Sequence, residues 1–122
     1  MKKGLSTGKP TKREAERIVA CKEGRCMACI IQQEKTGNYC DNDGCDYHHM
    51  LMGGRRRGHR FGIALCAHHH RKVPLDGYRT TEMVCYFGPS LMDGSKAFHQ
   101  AYGSDDDLLK LQDELIGWQD GV

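Results

Sequence analysis

The 122-residue sequence has no long hydrophobic run. Nothing in it approaches the roughly 20 apolar residues of a membrane-spanning helix, which argues against an integral membrane protein. The N-terminus, MKKGLSTGKPTKREAER, is basic but lacks the apolar stretch of a secretory signal. A cytoplasmic location is the expectation. Aromatic residues are few, with one Trp, five Tyr and three Phe, and 15 glycines thin the apolar content further. A domain of this size with so little bulk for its core gains from an additional staple. There is no internal repeat and no basic stretch interleaved with aromatics, which argues against solenoids and against stacking platforms for single strands.

What is abundant is cysteine and histidine, seven of each. An odd cysteine count speaks against a closed disulfide framework. In a reducing compartment, Cys and His together read as metal ligands. Net charge is only +2 but unevenly spread: residues 1–72 hold 15 Lys/Arg against 7 Asp/Glu, a balance of +8, whereas residues 73–122 hold 3 against 9, a balance of −6. A basic half of this kind points to a polyanionic partner, nucleic acid first.

Residues 1–10 combine Lys, Gly, Ser, Thr and Pro without apolar periodicity and are expected to form a disordered basic arm, leaving a folded domain over 11–122. Thr11 and Glu14 spell a capping box for a helix over about 11–22, with Ala15, Ile18 and Val19 as its apolar face and Gly24 as its stop. Residues 24–62 are rich in Gly, Asn, Asp and Cys, so no long regular element is expected there. Short strands are predicted at about 46–51 and 61–66, joined through Gly53–Gly54 and the loop Arg55–Gly58. A helix from Ala67 carries His68 to Lys72 before Pro74 ends it. Two more helices are predicted, over 95–102 with Phe98 and Tyr102 paired, and over 105–117. Ser104 and Asp107 open the last one, and Leu108, Leu111, Leu115 and Ile116 stripe it. Cys21 and Cys85 read as plain core.

Cys26-x2-Cys29 directs two thiolates at one ion, and Cys66-x2-His69 supplies a second pair at the start of a helix. Together they make a tetrahedral Cys3His site for structural Zn2+; Cys40 and Cys45 offer a rival, a four-cysteine ribbon with Cys26 and Cys29. Six of the seven histidines lie between positions 48 and 70. Adjacent strand residues point to opposite sides, so His48 is placed to share a divalent ion, Mg2+ or Mn2+, with His70, leaving His49 free to meet a water molecule. That division suits phosphodiester hydrolysis, with the ion polarising the phosphate and a neutral imidazole taking the proton of water.

The ordered set Cys26-x2-Cys29, His48-His49-Met50, Gly58-His59 and Leu65-Cys66-x2-His69-His70-x-Lys72 resembles the ββα-metal (HNH) endonuclease pattern. It is most similar to the zinc-bearing Ref type of phages, a recombination-associated, RecA-dependent nuclease. Phe98-x3-Tyr102-Gly103-Ser104, leading into Leu108-Leu109, resembles the same family, and the match spans roughly residues 14–116. The resemblance implies an α+β fold: a small treble-clef-like ββα-metal (HNH) core with a structural zinc site and flanking helices. It makes His48 and His70 ligands of the catalytic ion and His49 the general base. His59 takes the middle position, an Asn in most HNH nucleases, and orients the base. His68 is placed at the surface or beside the ligands. Cys40 and Cys45 lie outside the family pattern.

DNA contacts are expected from Lys2, Lys3, Lys9, Lys12 and Arg13 of the arm and from Arg55, Arg56, Arg57 and Arg60 of the loop, neutralising phosphates without reading sequence. The resemblance adds a RecA filament as partner, a bacterial host cytoplasm as location and phage recombination as the setting; a monomer is expected. Competing readings are a non-catalytic zinc-binding module for nucleic acid and a zinc-stapled protein-interaction domain using the acidic half.

Overall fold

The computed structural model describes residues 8–40 and 44–120. Lys2, Lys3 and most of the expected arm lie outside them. The elements run α1 (Lys12–Lys22), α2 (Met27–Thr36), β1 (Asp46–His49), β2 (Leu51–Met52), β3 (Arg55–Arg56), β4 (Gly62–Leu65), α3 (Ala67–Arg71), α4 (Thr80–Phe87), a 3-10 turn at Leu91–Asp93, α5 (Ser95–Tyr102) and α6 (Asp105–Ile116). The architecture is the expected α+β arrangement, with two small antiparallel sheets among helices. No described helix is long and apolar enough to cross a membrane.

The central unit is an antiparallel pair followed directly by a helix. β1 and β4 pair with Asp46 opposite Leu65, Tyr47 opposite Ala64, His48 opposite Ile63 and His49 opposite Gly62. β4 is buried throughout and hands over at Cys66 to α3. The pair closes at Gly62, where an added Cβ would lie 2.4 Å from the Tyr47 ring and 2.8 Å from the His48 carbonyl. Only glycine lets the ring lie across the strand there. Met27, Met50, Ile63, Leu65, Met83, Phe98 and Leu108 fill the core.

The N-terminal helix forms as its capping box dictates, with Thr11 Oγ1 accepting from the Glu14 amide at 3.1 Å and Glu14 Oε1 accepting from the Thr11 amide at 2.8 Å. Its buried face is not the expected one. Val19 is 52% exposed, and Arg17 and Cys21 point inward instead. Arg17 is drawn in because the interior offers it acceptors. One guanidinium nitrogen reaches the Tyr47 hydroxyl at 2.8 Å and the Gly62 carbonyl at 2.7 Å, and the other reaches Asp113 at 2.6 Å. Trp118 covers this assembly, its ring 5.5 Å from both the Arg17 and Arg60 guanidiniums. Replacing Arg17 with Leu should cost about 1–3 kcal/mol, because the Gly62 carbonyl and Tyr47 hydroxyl lose a buried charged donor while Asp113 keeps Arg60. Urea unfolding checks this through a lowered midpoint at unchanged slope.

Three expectations need correction. A ten-residue helix, α2, occupies the segment expected to lack long elements. Its start escapes the usual signals because the capping side chain is a cysteine, Cys26, whose sulfur accepts from the Cys29 amide at 3.4 Å. Cys85 is exposed on α4 and is not core. Leu115 is 52% exposed, and α6 buries Leu108, Leu109 and Gln112 instead. That rotation lets Gln112 Oε1 accept from the Ala64 amide at 2.7 Å, tying α6 to β4.

Candidate functional site

Cys26 and Cys29 begin α2, while Cys66 and His69 sit in the first turn of α3, and the sheet brings the two helix starts together. Their ligand atoms all lie within 4.8 Å of one another, and all four residues are buried. His69 Nδ1 is 3.6 Å from Cys26 Sγ, 3.5 Å from Cys29 Sγ and 3.2 Å from Cys66 Sγ, with Cys29 and Cys66 sulfurs 3.7 Å apart. Zinc bonds of about 2.3 Å to sulfur and 2.0–2.1 Å to nitrogen hold tetrahedral ligand atoms about 3.6–3.8 Å apart, which this cluster nearly matches. The cluster is therefore suited to hold a metal ion of that type. The other ring nitrogen of His69 donates to the Phe87 carbonyl at 2.8 Å, fixing Nδ1 as the atom facing the sulfurs. Sulfur hydrogen bonds, from Cys26 first and then Cys29 and Cys40, draw the Cys66 thiol far below its usual pKa. Burial pushes Cys26 up. Cys45 points elsewhere, its sulfur 3.7 Å from the Gly24 carbonyl, so the rival four-cysteine ribbon is not what the chain assembles.

Alternation along β1 sorts the remaining histidines to two sides of one strand. Asp46 and His48 face α3. The His48 and His70 rings are 5.4 Å apart between centroids. His70 Nδ1 donates to Asp46 Oδ2 at 2.8 Å, which leaves Nε2 as the free acceptor of that ring. Arg71 Nε reaches the same oxygen at 2.7 Å. Burial raises the Asp46 pKa, but the Arg71 and His70 hydrogen bonds outweigh it and hold the carboxyl below its usual range. Burial first, then the neighbouring His70, His49 and His99, lower His48 to about 4, so it is a neutral donor at neutral pH.

Tyr47 and His49 face the other way. His49 Nε2 and His59 Nδ1 are 3.1 Å apart, and His59 Nε2 lies 2.7 Å from the Gly8 carbonyl. A carbonyl only accepts, so His59 carries its proton on Nε2 and receives the His49 proton at Nδ1. That leaves Nδ1 of His49 as a lone pair. Tyr47 donates to the His59 carbonyl at 2.5 Å and accepts from Arg17, so the His59 loop is anchored to the buried guanidinium. Burial, followed by the charges of Arg56 and His59, lowers the His49 pKa.

Other candidate residues scatter. His68 is fully buried rather than exposed, donating from Nε2 to the Gly88 carbonyl at 2.9 Å, with no partner among the described residues for Nδ1. Lys9, Lys12, Arg55 and Arg56 are exposed. Arg57 lies 4.3 Å from the Phe61 ring and 3.6 Å from Asp106. Arg13 stacks 4.0 Å from the Trp118 ring, and Arg60 binds Asp113 at 2.8 Å and also Asp120, so the C-terminal segment engages both. Asp46, Tyr47 and Arg17 escaped the sequence reading. The first had a usable signal, since an acid two residues before a strand histidine shares its face.

No curated protein sequence matches the chain significantly. A family model described as recombination enhancement, RecA-dependent nuclease, matches residues 10–117. The match takes in both histidine pairs, the Cys3His cluster and the helices that brace it. Extending over nearly the whole sequence, it shows that the chain belongs to the recombination enhancement, RecA-dependent nuclease family.

Proposed function

We propose that the chain is a DNA endonuclease of the HNH type, using one divalent cation and acting in phage or prophage recombination in the bacterial cytoplasm, as a monomer beside a RecA filament. The observation that carries this reading is the two-sided strand β1, with His48 and His70 converging on one side and His49 paired to His59 on the other. His48 and His70 would hold Mg2+ or Mn2+, which supplies Lewis-acid polarisation of the scissile phosphate and stabilises the leaving oxygen. Asp46 orients the His70 ring. His49 takes the proton of the attacking water at Nδ1, and His59 holds that imidazole in the required tautomer. The Cys3His cluster would hold Zn2+ as a closed structural site. Lys2, Lys3, Lys9, Lys12 and Arg13, with Arg55, Arg56, Arg57 and Arg60, supply cationic groups for phosphates. For Arg13 and Arg60 this requires release from the C-terminal segment.

The pH profile follows from the base. His49 works unprotonated, and its pKa is lowered, so protonation switches the reaction off only below the ordinary histidine value. The cleavage rate should rise with pH along a limb centred below about 6.5 and level off above it. A rate profile on supercoiled plasmid in Mg2+ or Mn2+, with and without a RecA–single-strand filament, checks this. Cutting that needs the divalent ion supports the reading, and a filament requirement supports the RecA dependence. A folded, zinc-loaded chain that binds DNA but never cuts would instead be the non-catalytic zinc module.

A further inference from the structure

Among the described residues, the β2–β3 ribbon supplies none of the cysteines and histidines of the two centres and none of the buried core side chains. Both strands are two residues long and exposed, and a ribbon of that size buries too little to be stable by itself. It nevertheless displays two large apolar side chains, Leu51 at 54% and Met52 at 66% exposure. It continues the catalytic strand directly: only Met50, bonded to the Phe61 carbonyl and the Arg57 amide, separates it from His49. Leu51 pairs with Arg56 and Met52 with Arg55 across the ribbon. Because neighbours on a strand point to opposite faces, each face carries one apolar group and one guanidinium. The tip, Gly53–Gly54, has φ values of 61° and 81°, and nothing lies within 4 Å of a Cβ added at either.

A surface that docks on a protein gathers its apolar groups on one face, in a dry patch. This ribbon divides them between two faces, backs each with a cation and ends in a bare tip. Such a shape meets walls on both sides at once. Leu and Met are side chains that proteins push between base steps, and a two-stranded ribbon fits a duplex groove. Leu51 starts the ribbon two residues after His49, and Arg56 is its cross-strand partner. A nucleotide held by Arg56 would thus lie next to the strand that carries His49.

We propose that the β2–β3 ribbon is a DNA wedge: Leu51 and Met52 enter between bases next to the scissile phosphate and unstack them, while Arg55 and Arg56 hold the phosphates on either side. The idea rests on the nuclease reading for its place beside the site and deepens it by assigning a deformed duplex as the bound form. The test uses the zinc-loaded full chain, without added divalent cation, on short duplexes carrying 2-aminopurine at successive positions. Wild type should raise the fluorescence several-fold. Leu51→Ser/Met52→Ser should abolish the rise without altering zinc content, whereas Arg55→Gln/Arg56→Gln should reduce the slope of log affinity against log salt by about two. No rise with wild type, or the same rise with the serine pair, overturns the proposal. So does a serine pair that binds duplex normally and loses only its response to the RecA filament, which would make the ribbon a protein contact. His49→Ala should keep the rise. A wild-type chain that unstacks DNA but cuts nothing would defeat the nuclease reading and leave the wedge standing.

Discussion

Replacing His49 with alanine should lower plasmid cleavage by about 10²–10⁴-fold, the usual contribution of a positioned general base. The side chain is only half-buried and lines no core, so zinc content and thermal midpoint should stay at wild-type values. Its sole described polar partner is His59 Nδ1, which the truncation leaves open to water. His49→Gln sharpens the test. Glutamine can still donate a hydrogen bond to His59 but takes no proton from water at neutral pH, so it should be as inactive as alanine. If either variant cuts at the wild-type rate, the base lies elsewhere. His48→Ala should instead raise the Mn2+ concentration needed for half-maximal rate, since it removes a proposed ligand and leaves the proposed base in place.

Loss of the metal from the Cys3His cluster should unfold the chain. Zinc in small structural sites binds with about 10–16 kcal/mol, which matches or exceeds the whole 5–15 kcal/mol by which domains are usually stable. Here the four residues stand in the first turns of two helices and would tie them together, and the thin core has little to offer in exchange. A strong chelator, or Cys66→Ala, should therefore abolish near-ultraviolet dichroism and the cooperative thermal transition, and zinc should restore them only in the wild type. Cys45→Ala should load zinc normally. If Cys45→Ala lost the metal and Cys66→Ala kept it, the four-cysteine ribbon would be the true site.

Local chemistry made several elements legible. Thr11 with Glu14 and Ser104 with Asp107 are complete capping boxes, and both helices start there. The Cys3His set was readable from spacing, because two ligand pairs with two intervening residues bind one ion only if the fold joins them. What remained hidden depends on partners distant in sequence. Arg17 is a surface residue by composition, and its burial follows from Asp113 and Tyr47, 96 and 30 positions away. With Arg17 turned inward, Val19 had to turn out. α4 escaped because Thr80, Thr81, Val84, Tyr86 and Phe87 are weak helix formers, held in place by Met83 and Phe87 packing on the core. Tyr47 as anchor of the His59 loop needed the register that puts Gly62 beneath its ring.

The shortness of α3 has a consequence for the cell that makes this chain. Five residues carry both His69, which joins the sulfur cluster, and His70, which faces His48. A helix of that length does not persist alone in water. The proposed cutting centre is thus assembled only when the sulfur cluster closes, and the last two cluster residues are synthesised 37 or more positions after the first pair. On the proposed reading a nascent or metal-starved chain would be latent. Metal loading itself would then be the arming step, expected as cutting that appears only after zinc is restored to a metal-stripped chain.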